Sequence, residues 1–188
     1  MSEYSSKEYL EEINRLKQQN SSSRITLYAA CALAIIAAAI VLITIAFLPV
    51  LRIYGTSMSP TLSEGDYVIA KKGSEFAPGD IVAFYCNNKI LVKRVIANEG
   101  DWVNIDDQGN VYVNNVLVEE PYLQEKAYGE CNITLPYQVP EDRIFVMGDY
   151  RSASVDSRST SVGCVADEQI IGRIISTIWP LKHFGRVK

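Results

Sequence analysis

The chain has 188 residues, 48% of them hydrophobic, and a formal net charge of −4 from 18 Lys and Arg against 22 Asp and Glu. This mild acidity provides no basic surface of the kind that DNA or RNA requires, so we expect no nucleic-acid binding. The single histidine and the four cysteines, which contain no Cys-x-x-Cys spacing, do not match a zinc-binding pattern, and we expect no metal site.

A polar N-terminal segment precedes a long apolar one. Residues 1–24 carry Leu10, Ile13 and Leu16 near helical spacing, which fits either a short amphipathic helix or a solvated tail, and we expect the tail. Residues 25–48 then contain no charge over 24 positions. A helix of that length spans about 36 Å, more than the roughly 30 Å of a bilayer's hydrocarbon core. The sequence therefore predicts a transmembrane helix over 25–48.

A cleavable signal peptide is the alternative interpretation of this apolar segment. Its apolar region would have about 7 to 15 residues, which is shorter than the segment here, so we expect an uncleaved anchor. Basic residues are more frequent before the segment than after it, and predict a cytoplasmic N-terminus with residues 49–188 outside the cell membrane. Those before it are Lys7, Arg15, Lys17 and Arg24, and Arg52 alone follows within 15 residues.

Residues 49–188 have the pattern of a mainly β domain. Short runs rich in β-branched and aromatic residues alternate with turn signals such as Glu64-Gly65 and Pro78-Gly79. The predicted strands cover residues 66–71, 80–85, 90–97, 102–106, 110–114, 116–118, 143–147 and 170–178. The closely spaced turns near residues 107–110 and 114–115 predict a β-ribbon insertion within 97–142.

A cluster of small hydroxyl residues follows the apolar segment closely. It reads Gly55-Thr56-Ser57-Met58-Ser59-Pro60-Thr61-Leu62. Pro60 disfavours helical geometry at the residue before it, so the cluster predicts a rigid turn that can present a serine at the surface. Ser57 is our candidate nucleophile, and an ordinary loop is the alternative interpretation of the cluster by itself.

A lysine within a β-branched run is the candidate base. The run reads Leu91-Val92-Lys93-Arg94-Val95-Ile96. A neutral lysine amine can take a proton from a serine hydroxyl if burial lowers the pKa of the lysine. A surface lysine on a half-exposed strand is the alternative. A Ser/His/Asp triad would depend on His183 alone, which lies far along the chain from Ser57.

A third stretch completes a recognisable set of motifs. It reads Met147-Gly148-Asp149-Tyr150-Arg151-Ser152-Ala153-Ser154-Val155-Asp156-Ser157-Arg158. In order and spacing the three stretches resemble the motifs of the type I signal peptidases, membrane-bound Ser/Lys proteases that remove secretory signal peptides, in the short form typical of Gram-positive bacteria. The resemblance runs from the apolar segment to the C-terminal end and implies a signal-peptidase-like β catalytic domain.

The resemblance also implies roles for individual residues. Ser57 would be the nucleophile and Lys93 the general base, while Ser154 matches the serine that hydrogen-bonds the lysine. Asp156 and Arg158 match a pair that supports the site. Gly55 stands where many relatives have a serine that helps to stabilise the oxyanion, which leaves the Ser57 N–H as the main donor. Two further departures from the family pattern are Tyr150, in place of asparagine, and Ser161-Val162-Gly163, in place of an aromatic-Gly pair.

Substrate and partners follow from the same resemblance. Side chains next to the motifs would form shallow pockets for small residues at the first and third positions before the cut, as in an Ala-x-Ala site. The candidates are Ile53, Met58, Leu62, Leu91 and Val92. The implied partners are secretory preproteins and the lipid bilayer, and no cofactor is implied. Which of Cys86, Cys131 and Cys164 pair, if any, stays open.

Two other functions fit parts of the sequence. A self-cleaving repressor also uses a Ser/Lys pair, but it carries a DNA-binding domain where this chain has its apolar segment. An inactive relative that acts as an assembly chaperone or pilus accessory would be expected to lack the serine or the lysine, and this chain has both. The signal peptidase interpretation accounts for all three motifs and the anchor.

Overall fold

A computed structural model of the chain describes residues 6–73 and 75–187. The chain divides into two compact units, the first ending at Ala46 and the second beginning at Phe47. A single helix, α1, runs over Ser6–Phe47. No glycine or proline interrupts these residues, so helical hydrogen bonding can continue from the polar segment into the apolar one. The structure thus differs from the solvated-tail expectation in that the polar segment is helical from Ser6, and residues 1–5 lie outside the described residues.

The apolar part of α1 has the length and composition of a membrane span. Its most apolar window, Ile25–Leu42, has a mean hydropathy of 2.6 over 18 residues. The large apolar side chains Leu33, Ile35 and Ile36 are each more than half exposed. A helix that is apolar on all sides requires apolar surroundings, which a bilayer provides.

The second unit is mainly β, which confirms the predicted fold class. Twelve strands are present among the described residues, and most of them agree with the predicted runs to within one or two positions. They are β1 Val50–Arg52, β2 Tyr67–Lys71, β3 Ile81–Cys86, β4 Lys89–Ala97, β5 Trp102–Ile105, β6 Val111–Val113, β7 Val116–Leu117, β8 Tyr137–Gln138, β9 Arg143–Met147, β10 Val165–Ala166, β11 Ile170–Trp179 and β12 Gly185–Arg186. Two short 3₁₀ helices cover Asp167–Gln169 and Leu181–His183.

These strands form two antiparallel sheets. The larger has the order β1-β2-β11-β3-β4-β9-β10, with β12 paired to β11, and the smaller has the order β7-β6-β5-β8. All four strands of the smaller sheet come from the segment between β4 and β9, which are themselves neighbours in the larger sheet. The smaller sheet is therefore an insertion between two paired strands.

Buried apolar side chains hold the sheets in place. One cluster packs Met58 and Leu62 against residues of β2, β3 and β11, and this fixes the loop that carries the hydroxyl cluster. Another joins the smaller sheet to β4 and β9 through residues such as Val103, Val111 and Phe145. Burial of each such side chain contributes roughly 1.5–3 kcal/mol. Both the hydroxyl cluster and β4 thus rest on a rigid core.

The cysteines are not cross-linked in this structure. All four are free thiols, with Cys164 buried and Cys31 exposed on α1. Over residues 6–73 and 75–187, no group of three His, Cys, Asp or Glu side chains is arranged to hold a metal ion.

Candidate active site

Ser57 lies in the loop between β1 and β2. Backbone hydrogen bonds from Ile53 N–H to the Asp66 carbonyl (2.8 Å) and from Gly65 N–H to the Ile53 carbonyl (2.9 Å) close this loop at its base. The neighbouring Met58 is buried, whereas Ser57 is half-buried. The turn predicted from the hydroxyl cluster thus presents Ser57 at the surface while its neighbour anchors the loop.

Gly55 has a backbone conformation that explains why a glycine stands there. Its φ of +77° lies in the left-handed region, which side chains with a Cβ adopt only with strain. The backbone conformation at this position therefore favours glycine over serine. Within the described part of the chain, the Ser57 N–H donates no hydrogen bond, which leaves it available to an incoming oxygen.

Lys93 lies at the centre of β4 and is buried. Its partner in β3 is Val82, and only 3% of its surface is exposed. Among the residues that the structure describes, it forms no ion pair. Burial lowers the pKa of Lys93 from its ordinary value of 10.5 to about 8, and the charge of Arg158 adds to this against the opposite influence of Asp156 and Asp149. A substantial fraction of the amine is therefore neutral at mildly alkaline pH.

Gly148 is the point at which the three motifs meet. It follows the last residue of β9, and because Arg94 pairs with Met147, the antiparallel register places Gly148 opposite Lys93. A Cβ on Gly148 would overlap Ser154 Oγ and would lie 2.6 Å from the Ser57 carbonyl oxygen. That carbonyl also accepts a hydrogen bond from Tyr150 N–H at 3.0 Å. Lys93, Ser57 and Ser154 therefore surround a position that only a glycine can occupy.

Asp156 organises the loop that carries Ser154. Its Oδ2 accepts hydrogen bonds from Ser154 Oγ (2.7 Å) and Gly148 N–H (2.9 Å). Arg158 donates to both carboxylate oxygens, at 2.8 and 2.9 Å. Burial opposes ionisation of Asp156, but these hydrogen bonds and the Arg158 charge hold its pKa below the usual range. Because Ser154 donates to Asp156, its lone pairs can accept from the Lys93 amine.

Arg94 and Asp149 form a second buried ion pair, which was not among our predicted site residues. Arg94 Nη2 lies 2.7 Å and Nε 2.9 Å from the two Asp149 oxygens. Thr61 Oγ1, from the hydroxyl cluster, also donates to Asp149. This pair therefore ties all three motifs together. Its members stand in the motifs quoted above, but nothing in the sequence indicates that these two charges pair.

A cleft of about 820 Å³ opens beside Ser57. One wall is residues 50–55 with Ser57 and Met58, and the other is residues 88–92. Of the predicted substrate residues, Ile53, Met58, Leu91 and Val92 line it. Leu62 is fully buried in the same apolar cluster as Met58, so it packs within the core.

Both walls of this cleft carry strand edges. In the described part of the chain, β1 pairs only with β2, and pairing of β4 with β9 begins at Arg94, beyond the part of β4 that lines the cleft. Unpaired backbone groups on such edges can hydrogen-bond an extended peptide. The cleft can therefore hold a peptide strand beside Ser57.

His183 belongs to a different part of the unit. Its Nδ1 lies 2.7 Å from Asp66 Oδ1, and Asp66 also accepts a hydrogen bond from Ser63 N–H. His183 is not among the residues that line the cleft. Its contact with Asp66 braces the base of the β1–β2 loop.

Comparison with known proteins agrees with this arrangement. The family profile described as signal peptidase, peptidase S26, matches residues 24–179, a range that includes all three motifs and the apolar helix. The chain belongs to this signal peptidase family. Members of the S26 family are serine endopeptidases. Family membership and the apolar helix found among the described residues together support a membrane-anchored protein.

Individual relatives come from plants and bacteria. The chain is 37% identical over 142 residues to thylakoidal processing peptidase 1 of Arabidopsis thaliana; the match covers 66% of this chain and 40% of the plant protein. It is 36% identical over 167 residues to signal peptidase I of Bacillus licheniformis, with 81% and 88% coverage. A crystal structure of a signal peptidase I from Enterococcus faecalis V583 shares 30% identity with a TM-score of 0.46, covering 53% of this chain and 96% of that one.

Proposed function

We propose that this chain is a membrane-anchored serine endopeptidase that removes N-terminal signal peptides from secretory preproteins, with Ser57 as nucleophile and Lys93 as general base. The observation that carries the proposal is the convergence of Ser57, the buried Lys93 and Ser154 around Gly148. Membership of the signal peptidase family supports the substrate class.

The proposed catalytic steps use the Lys93 amine as the base and the Ser57 hydroxyl as the nucleophile. Neutral Lys93 takes the proton of Ser57 Oγ, and the oxygen attacks the scissile carbonyl carbon. The Ser57 N–H stabilises the resulting oxyanion. Lys93 then gives the proton to the departing amine as the peptide C–N bond breaks, which leaves an acyl-enzyme on Ser57. A water molecule, deprotonated by Lys93, hydrolyses this ester and releases the signal peptide with a free carboxylate.

Specificity for an Ala-x-Ala site is the second part of the proposal. Ile53, Met58, Leu91 and Val92 present apolar surface in the cleft beside Ser57. An extended peptide between the two strand edges directs alternate side chains to the same wall. Apolar surface on that wall favours apolar side chains at the first and third positions before the cut, and the resemblance to the signal peptidases implies that these are small.

The orientation in the membrane is the third part. The basic residues before the apolar helix support a cytoplasmic N-terminus, which would put the catalytic unit on the outer side of the cell membrane. Preproteins emerging on that side would meet the cleft. The lipid bilayer is then a direct partner through the apolar part of α1.

Cleavage of a defined preprotein tests the proposal. The full chain, purified in detergent, is incubated with a preprotein whose signal ends in Ala-x-Ala, and the new N-terminus is determined by mass spectrometry. We expect one cut directly after the second alanine, lost by several orders of magnitude in Ser57→Ala and largely kept in Ser59→Ala. Absence of the cut, a cut elsewhere, or normal turnover by Ser57→Ala would refute the proposal.

A further inference from the structure

A buried carboxylate outside the three motifs contacts one of their arginines. Glu120 follows the short strand β7, and its side chain is fully buried in an ion pair with Arg151 Nη2. Arg151 Nη1 also donates to Glu120 Oε2, at 3.2 Å. A buried carboxylate is retained only where its charge is matched by a partner. The Glu120 carboxylate thus depends on Arg151 to balance its charge.

Tyr122, two residues further on, contacts both Glu120 and a second arginine of the motifs. Its hydroxyl donates to Glu120 Oε1 at 3.0 Å, and its ring centroid lies 3.8 Å from the guanidinium carbon of Arg94. Burial raises the pKa of Tyr122, and the nearby Glu120 charge raises it further, so the phenol remains a donor. Glu120 and Tyr122 together form a brace that holds the guanidinium groups of Arg94 and Arg151.

Both arginines held by the brace contact residues next to the proposed catalytic groups. Arg151 Nε donates to the Gly148 carbonyl at 3.1 Å, and the Gly148 N–H holds the Asp156 oxygen that Ser154 contacts. Arg94, which lies next to Lys93 on β4, holds Asp149, which follows Gly148. Movement of either guanidinium would therefore displace the peptide around which Ser57, Lys93 and Ser154 meet.

We propose that Glu120 and Tyr122 are positioning residues for signal peptide cleavage, acting through Arg151 and Arg94 to fix Gly148 and the groups around it. The inference rests on the proposed function of Ser57 and Lys93. It assigns a catalytic purpose to the segment that follows β7, next to the inserted sheet.

The brace also contributes to the charge balance of the site. Three guanidinium groups and three carboxylates form buried ion pairs among the motifs and the brace, so their formal charges cancel. They are Arg94, Arg151 and Arg158 with Asp149, Glu120 and Asp156. Asp149, Asp156 and Arg158 among them act on Lys93. Removing the Glu120 charge leaves one net positive charge, which disfavours the Lys93 ammonium. Under the proposed function, cleavage rises with pH as Lys93 loses its proton, and we call this rise the alkaline limb of the pH–rate profile. Without the Glu120 charge, the limb should move to lower pH by on the order of half a pH unit.

Neutral substitutions of two adjacent glutamates test the inference. Glu120→Gln in the full chain should lower kcat about tenfold or more, with KM within about twofold and the limb displaced to lower pH. Glu119→Gln is the matched control, since it removes the same charge from an exposed neighbour and should leave both parameters unchanged. A structural defect alone would lower the amount of folded enzyme without moving the limb.

Two further variants separate charge from geometry. Glu120→Asp keeps the charge but shortens the side chain, so kcat should stay reduced while the limb returns to the wild-type pH. Tyr122→Phe keeps the ring on Arg94 and should lower kcat several-fold without moving the limb, a readout that remains if Glu120→Gln does not fold. The inference is overturned if Glu120→Gln has the kcat and limb position of the wild type. If Glu120→Gln does not fold, a wild-type kcat in Tyr122→Phe overturns it. If the wild-type enzyme shows no rise of cleavage with pH that depends on Lys93, the proposed function is instead refuted.

Discussion

Lys93 is buried on a central strand, and none of the described carboxylates forms an ion pair with it. Its pKa of about 8 in the folded chain, against 10.5 ordinarily, means that below pH 8 the protein holds a disfavoured charge. The unfolded chain binds more protons than the folded chain between these values, so stability rises as pH rises from 8 to 10.5. The proposed catalytic base thus destabilises the folded protein at neutral pH.

We therefore expect Lys93→Met to stabilise the protein at pH 7. The gain in the free energy of unfolding should be about 3 kcal/mol or less, and the difference from wild type should shrink as pH approaches 10.5. Thermal unfolding of the two proteins at several pH values measures this. A variant less stable than wild type at pH 7 would show that the ammonium is well solvated or paired.

Cleavage should increase with pH through the same titration. The fraction of neutral amine grows as pH passes the Lys93 pKa of about 8, so kcat/KM should rise from neutral to mildly alkaline pH. Lys93→Arg keeps the charge but cannot act as a base, so it should be as inactive as Lys93→Ala. A profile that instead rises near the ordinary pKa of histidine, and is lost in His183→Ala, would assign the base to His183.

The sequence indicates the candidate nucleophile and base through the combined resemblance of the three motifs to the signal peptidases, since each motif by itself also fits an ordinary loop or a half-exposed strand. It does not indicate that Arg94 contacts Asp149, or that Glu120 contacts Arg151. Those pairs join residues far apart in the chain, and the contacts depend on which strands become neighbours. The resemblance also implies that Leu62 lines the substrate pocket, whereas the fold of the β1–β2 loop buries it in the apolar cluster with Met58.

At the level of elements, the end of β9 has no room for a side chain. Gly148→Ala would bring a Cβ into the Ser154 side chain and the Ser57 carbonyl, and one of them must move. We expect cleavage to fall by about a hundredfold, with a loss of roughly 1–3 kcal/mol in stability. Gly73→Ala is the matched control, because a Cβ there meets no atom within 4 Å and the backbone has no positive φ. Equal activity of the two variants would contradict this packing.

Most strands are predictable because β-branched runs between turn residues mark them in the sequence. The pairing of β4 with β9 is not predictable in this way, since a period of two residues identifies the faces of a strand but not its neighbour. The helix α1 is also longer than predicted, because it includes the polar segment before residue 25. Composition divides the N-terminal residues into a polar and an apolar segment. Helical hydrogen bonds nevertheless continue from one into the other, because no glycine or proline interrupts them.

At the scale of the whole molecule, the orientation across the membrane can be measured by labelling. In a background with the four native cysteines replaced by alanine, Glu11→Cys should be protected in intact cells and Asp107→Cys should react with an impermeant thiol reagent, because the basic residues lie before the span. Permeabilised cells, in which both should react, provide the control. The reverse pattern would place the catalytic unit in the cytoplasm and refute the proposed role in secretion.

The meeting of distant residues around Gly148 has a consequence for the biogenesis of the enzyme. The hydroxyl-cluster loop, β4 and the loop after β9 come together only when the inserted sheet has been accommodated between β4 and β9. A partly folded chain therefore lacks the assembled site, and under the proposed function it would not cleave neighbouring proteins during that interval. Proteolytic activity would begin only when folding of the second unit is complete.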